Sequence, residues 1–274
     1  MENKNESEKL FERYLDSTGL QGKWTYEPST PGKSKRPDYL LDHNGVQYWF
    51  EVKELRKKPS EPTKWPAHIN PYSSLRAEID EARKKFKEFK DYSCSLVVYW
   101  IDDVQGRFLD AEHVLGAMLG NLDITADYDP AKGELVAGSE RNAFLGGGKM
   151  VNPRSGKPQN TTISAVVVLE QFLDNTELER VVSEEIKKHD KELSGPELVK
   201  LRGKLYAGHP IQTVPRIVVV ENPYARIAFP ADLFMGHFDE RWRLRKGQVE
   251  RVFAGTELLE WEAVQGGWLA NNRP

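Results

Sequence analysis

The sequence contains one cysteine, Cys94, among 274 residues. That scarcity excludes a disulfide within the chain and any zinc site built on several thiolates, and it points to a reducing, cytoplasmic setting. Long apolar runs are missing as well. No stretch approaches the roughly 20 apolar residues that a membrane-spanning helix needs, so no membrane association is expected. The opening MENKNESEKL is polar and lacks the apolar core of a secretion signal. Histidine is sparse, at 43, 68, 113, 189, 209 and 237, and no pair has the i, i+4 spacing of a helical zinc hydrolase. There is no GxSxG elbow of a serine hydrolase and no GxGxxG after a strand. Gly146-Gly147-Gly148-Lys149 lacks the spacing of a phosphate-binding P-loop, and Met150 stands where Ser or Thr is required. Zinc-finger and ribonucleoprotein aromatic motifs are absent too.

What is present is a soluble globular composition, 39% hydrophobic and 30% charged, with a formal net charge of −3. The charge is unevenly spread. Residues 33–90 carry fourteen Lys and Arg against nine Asp and Glu, a local +5 that leaves −8 for the rest of the chain. A basic region inside an acidic whole attracts phosphates locally.

The most informative stretch lies in that basic region, from Lys33 to Leu55. Asn44-Gly45 is a strong signal for a two-residue hairpin, because a type I′ turn needs positive φ at both central positions. With those two residues as the loop, His43 faces Val46 and every paired position sums to 89. Leu41 then faces Tyr48, Tyr39 faces Phe50 and Asp38 faces Glu51. Period-two alternation puts Asp38, Leu40, Trp49, Glu51, Lys53 and Leu55 on one face. Tyr39, Leu41, Tyr48, Phe50 and Val52 fall on the other. Two facing carboxylates about 5 Å apart destabilise a strand pair. A divalent cation relieves the repulsion, and oxygen ligands suit Mg²⁺. Lys53, on the same face, either neutralises the pair or holds a water or phosphate oxygen beside the metal.

Pro37-Asp38, then twelve residues, then Glu51-Val52-Lys53 resembles the signature of the PD-(D/E)XK nuclease superfamily. The surrounding pattern is similar too. Residues 6–18 read as a helix, with Asn5 and Glu8 at capping-box spacing and Leu10, Phe11, Tyr14 and Leu15 as its apolar stripe. Residues 23–28 form a first strand, followed by the hairpin strands. Residues 71–90 form a helix capped by Asn70, with Leu75, Ile79, Ala82, Phe86 and Phe89 on one side. Residues 94–101 form an apolar strand. The resemblance therefore implies an α/β protein with a restriction-endonuclease-like αβββαβ core, a mixed central sheet flanked by helices. It covers roughly residues 6–101.

The core is assigned to residues 1–105. Residues 106–274 read as a C-terminal α/β elaboration continuous with the same domain. A short helix is expected at 110–119 and a flexible loop over 120–161. Apolar strands are expected at Ser164–Leu169 and Arg216–Val220, with helices near 177–193 and 196–206 between them. A last strand at 248–254 and a loose tail from 265 complete the chain.

The resemblance implies a divalent-metal-dependent nuclease that hydrolyses phosphodiester bonds, acting on DNA in restriction, phage defence or repair. Asp38, Glu51 and Lys53 would be catalytic. Glu12, Asp38, Glu51 and the carbonyl of Val52 would hold Mg²⁺, for which Mn²⁺ would substitute. Nucleic-acid contacts are expected from Lys33, Lys35 and Arg36 in the loop before Asp38. Others are expected from Arg76, Arg83, Lys87 and Lys90, a stripe on the helix. Trp65 and His68 in the proline-rich loop 56–70 could stack on bases. A homodimer or a partner protein of a defence or repair system fits such a role. The alternative is a catalytically inactive nucleic-acid-binding or assembly subunit with a nuclease-like fold.

Overall fold

A capping box sets the first helix. The Asn5 side chain accepts from the Glu8 amide at 2.8 Å, and the Glu8 carboxylate accepts from the Asn5 amide at 2.8 Å. The computed structural model describes residues 4–56, 72–101, 110–139, 141–188, 194–208, 212–245 and 247–271. Helix α1 (Glu6–Ser17) leads into strands β1 (Trp24–Tyr26), β2 (Tyr39–His43) and β3 (Val46–Arg56). Helix α2 (Ser73–Phe86), strand β4 (Ser93–Ile101) and helix α3 (Ala111–Leu119) follow. Asp110 caps α3 by accepting from the His113 amide at 2.7 Å. The proposed cap of α2, Asn70-Pro71, lies outside the described residues, as do Trp65 and His68.

The region expected to be a flexible loop instead holds four short strands: β5 (Asn121–Thr125), β6 (Tyr128–Asp129), β7 (Glu134–Leu135) and β8 (Arg141–Leu145). β5 pairs with β8, and β6 with β7, all antiparallel. The glycine-rich run then packs on α3. Its Lys149 and Met150 amides donate to the carbonyls of Ala117 and Met118. A Cβ on Gly148 would meet the Leu119 backbone at 2.1 Å. Glycine content here reflects close backbone approach rather than looseness.

Strand β9 (Ile163–Asp174), helices α4 (Thr176–Lys187) and α5 (Gly195–Gly208), and strands β10 (Gln212–Glu221), β11 (Glu240–Arg245) and β12 (Gln248–Ala254) come next. Residues 265–271 of the expected loose tail belong instead to helix α6 (Thr256–Asn271). β11 was not anticipated, because its sequence ERWRLR alternates charge with apolar residues at the sheet margin rather than forming an apolar run.

One eight-stranded sheet, in the order β1-β2-β3-β4-β9-β10-β11-β12, draws strands from both sides of residue 105. β1, β2 and β3 form an antiparallel meander. β3 is parallel to β4, and β4 to β9. β10 is antiparallel to β9 and parallel to β11, and β11 is antiparallel to β12. The fold is thus mixed α/β, a large mixed sheet with six helices among the described residues.

The expected hairpin register is the one observed: Tyr39 pairs with Phe50, Leu40 with Trp49, Leu41 with Tyr48 and His43 with Val46. Asn44 and Gly45 both have positive φ, 55° and 75°. The sheet separates two cores. Tyr39, Leu41, Phe50, Val52, Val97 and Val167 pack with α1. Trp49, Leu55, Leu96, Val98 and Val166 pack with α2 and α3. The two faces of β3 therefore have different neighbours, which decides where its charged residues emerge. No helix among the described residues is long and apolar enough to cross a membrane.

Candidate functional site

Strand β2 starts one residue after Asp38, so Asp38 does not sit in the ladder opposite Glu51 as the register alone implies. Its carboxylate substitutes for the missing strand: Oδ2 accepts from the Val52 amide at 2.8 Å. The N–H and C=O of one strand residue face the same edge. The Val52 carbonyl therefore also faces Asp38. This arrangement anchors Oδ2 and leaves Oδ1 to meet Lys85.

Glu51 is fully buried. Lys53, two residues on, and Lys85, from the last turn of α2, both bring their ammonium groups to 2.6 Å from Glu51 Oε1. Lys85 also reaches Asp38 Oδ1 at 3.3 Å. The Glu51 Oε2 atom is buried and has no hydrogen-bond partner. Burial, reinforced by the Asp38 charge, raises the Glu51 pKa against the pull of the two lysines. Burial works to lower the Lys53 pKa, but Glu51 and Asp38 outweigh it and hold the ammonium charged.

Glu51, Lys53 and Lys85 line an open cleft of about 470 Å³, together with Lys35, Arg36, Glu78 and Glu81, and Asp38 adjoins it through Lys85. A larger cavity of about 550 Å³ lies elsewhere, lined in part by Tyr14, His43, Asp232, Phe234 and Asp239. Size does not decide between them. In the larger cavity the buried carboxylate, Asp239, has donors on both oxygens, from the Tyr14 hydroxyl and the Gly236 and Ile217 amides. The smaller one contains a buried carboxylate oxygen with none.

Asp38, Glu51, Lys53 and Val52 thus come together, with Lys35 and Arg36 at the rim. Other expected contributors do not join them. Glu12 lies across the sheet, where α1 packs on Tyr39; it accepts from the Tyr39 hydroxyl at 2.9 Å and pairs with Lys4 at 2.6 Å. Among the described residues no group of three or more His, Cys, Asp or Glu is placed to hold a metal. Lys33 is turned to the end of α2, donating to the Glu88 carbonyl at 2.6 Å and lying 3.8 Å from the Phe89 ring centre. Arg76 donates to the Gly116 carbonyl at 2.9 Å and to Asn121 Oδ1 at 3.0 Å, so it clamps α2 to the α3–β5 junction instead of facing solvent. Arg83, Lys87 and Lys90 are exposed and lie outside the cleft lining.

Lys85 joins these groups although it was not among the expected site residues. Glu78, Glu81 and Lys85 follow one another at spacings of three and four, beside the buried stripe of Leu75, Ile79, Ala82 and Phe86. A helix has two polar flanks. The basic flank drew attention, whereas the mixed-charge flank is the one that faces β3.

Two carboxylates, a carbonyl on the same edge and one unpartnered buried oxygen fit a hard divalent cation. Mg²⁺ is commonly held by one or two carboxylates, with water and substrate phosphate completing its shell. Comparison of the chain with protein-family models, with curated proteins and with solved structures finds no match.

Proposed function

We propose that the chain is a divalent-metal-dependent phosphodiesterase, a nuclease of the PD-(D/E)XK type acting on DNA. The observation that carries this reading is Glu51: a buried carboxylate with one oxygen unpartnered, beside Asp38 and Lys53, on the floor of an open cleft. Leaving such an oxygen unsatisfied costs stability unless something else binds it. The element order α1-β1-β2-β3-α2-β4 within a mixed sheet supports this reading.

Asp38 Oδ1, Glu51 and the Val52 carbonyl would hold the cation. When bound, it supplies Lewis-acid polarisation of the phosphodiester and a more acidic water. Lys53 is held charged and aims at the same point. It would orient the attacking water or stabilise the extra negative charge of the transition state. Lys35 and Arg36 at the rim would draw in the phosphate backbone. The setting of restriction, phage defence or repair, a cytoplasmic location and a homodimer or partner protein belong to this proposal.

A specific observation favours the alternative, a non-catalytic nucleic-acid-binding or assembly subunit. Lys85 already bridges the two carboxylates. In that case the lysines would be a permanent internal neutralisation. The test is incubation of the purified chain with supercoiled and circular single-stranded DNA in Mg²⁺, Mn²⁺ or EDTA. Cleavage that requires the metal supports the nuclease. Retained DNA binding with no cleavage under any metal condition supports the subunit.

A further inference from the structure

We propose that Lys85 is an intramolecular stand-in for the divalent cation: its ammonium ties Asp38 to Glu51 in the metal-free protein and is expelled when the metal binds. This rests on the metal-site reading above and adds how that site is guarded.

The geometry is specific to Lys85. Its Nζ lies 3.3 Å from Asp38 Oδ1 and 2.6 Å from Glu51 Oε1, at the point where one cation meets both carboxylates. Lys53 is paired with Glu51 and not with Asp38. The two lysines are alike in stem and exposure, with 31% and 29% of the side chain accessible, but they are rooted differently. Lys53 is carried on β3, two residues from Glu51 itself. Lys85 extends from α2 to the carboxylates, so rotamer changes alone carry it away from them. One turn back stands Glu81, which lines the same cleft and is paired with Lys84 at 2.5 Å, so a released Lys85 would share it. Glu81 and Lys85 stand at i, i+4 with the acid nearer the N-terminus, the favourable orientation for a helical pair.

Charge arithmetic gives the exchange a consequence. Asp38, Glu51, Lys53 and Lys85 sum to zero. Around them Lys35 and Arg36 are balanced by Glu78 and Glu81, so a divalent cation added to the cleft leaves a surplus of two positive charges. An anionic phosphate offsets the surplus, with the released Lys85 free to contact it. Metal and phosphate should therefore strengthen each other's binding, and by the same factor in either order.

The experiment is titration of Mg²⁺ and of Mn²⁺ alone into wild type, Lys85→Gln, Lys85→Met and Lys85→Arg, by calorimetry, with thermal melts at each metal concentration. Both neutral variants should bind metal about tenfold more tightly or better, because a competing charge a few ångströms away is gone. Lys85→Arg should stay near wild type. Without metal the neutral variants should melt below wild type, and added metal should close that gap. If Lys85→Met does not fold, Lys85→Gln, which keeps length and polarity, carries the comparison. Equal affinity in wild type and the neutral variants overturns the exchange and leaves the metal site standing. A melting gap that metal does not change also overturns it, since it makes Lys85 a structural lysine. No metal binding in any of the four proteins overturns the site reading itself, and the exchange with it.

Discussion

Glu51 and Asp239 are both buried acids, and burial raises the pKa of each. Their surroundings differ in kind. Asp239 takes neutral, fixed donors: the Tyr14 hydroxyl and the Gly236 amide on Oδ2, the latter at 2.6 Å, and the Ile217 amide at 2.8 Å on Oδ1. Gly236 is small for a reason, as a Cβ there would lie 2.6 Å from Asp239 Oδ2. This carboxylate joins α1, β10 and the turn before β11, with nothing left to bind. Glu51 is met instead by two lysine ammonium groups on long stems, both on one oxygen, with the other oxygen bare. Neutral donors from the backbone make a joint. Charged groups on long stems around an incompletely satisfied acid are what the proposed site rests on.

The sharpest test of that contrast is Asp38→Ala, which strips the cleft of one carboxylate. Metal-dependent cleavage of supercoiled DNA should fall to background, at least about a hundredfold, since even outer partners of metal ligands are commonly worth 10–100-fold. Wild-type cleavage would remove Asp38 from the proposed site. The variant should not gain stability, because Lys85 already relieves the repulsion between the carboxylates and the Val52 amide would lose its acceptor.

Next in size is Asp239→Ala. It leaves several buried donors unpartnered and should cost about 3 kcal/mol of unfolding free energy in urea, with no rescue by Mg²⁺. Glu51→Gln should do the reverse: a change within roughly 1 kcal/mol without metal, and complete loss of Mg²⁺-induced stabilisation. If the two variants behave alike, the distinction between joint and site fails.

A smaller effect concerns pH. Asp239 is less acidic in the folded chain than in the unfolded one, because burial outweighs its three hydrogen bonds. The folded state therefore holds this proton more tightly, and stability falls as pH rises from the ordinary carboxylate range through the folded pKa. Urea unfolding across pH should show wild type losing stability relative to Asp239→Asn as pH increases. A constant difference would mean that Asp239 does not titrate in that window. The smallest expected effect is at the exposed stripe: Arg83→Glu and Lys87→Glu should each flatten the salt dependence of DNA binding by about one unit of slope. Arg76 is omitted, because its partners are Gly116 and Asn121.

The hairpin was legible because Asn44-Gly45 and a two-residue period leave one register, and that register alone sorts Glu51 and Lys53 from Phe50 and Val52. The valine-rich strands β9 and β10 were legible because strands covered on both faces read as continuous apolar runs. What stayed hidden depended on contacts between distant segments. Lys85 meets Glu51 only because α2 crosses the β3 face. Glu12 looked like a ligand from its place after Phe11, but that place packs it toward Tyr39 on the other side of the sheet. The β5–β8 strands were masked by Gly and Asp, which lower strand propensity without forbidding short antiparallel pairs. The helical end of the chain was masked by Gly266-Gly267.

The two-residue turn also limits how this chain can vary. Twelve residues, 39 to 50, separate Asp38 from Glu51, shared between two strands and the turn. Lengthening the hairpin by one residue on each arm keeps Asp38 beside Glu51 and Val52. Inserting a single residue shifts one arm past the other and, unless a bulge absorbs it, turns Glu51 and Lys53 to the α1 side while bringing Phe50 and Val52 into the cleft. Descendants and ancestors of this sequence should therefore differ in that interval by even numbers. A library of one- and two-residue insertions at Asn44-Gly45 should retain function in the symmetric pairs and lose it in the singles.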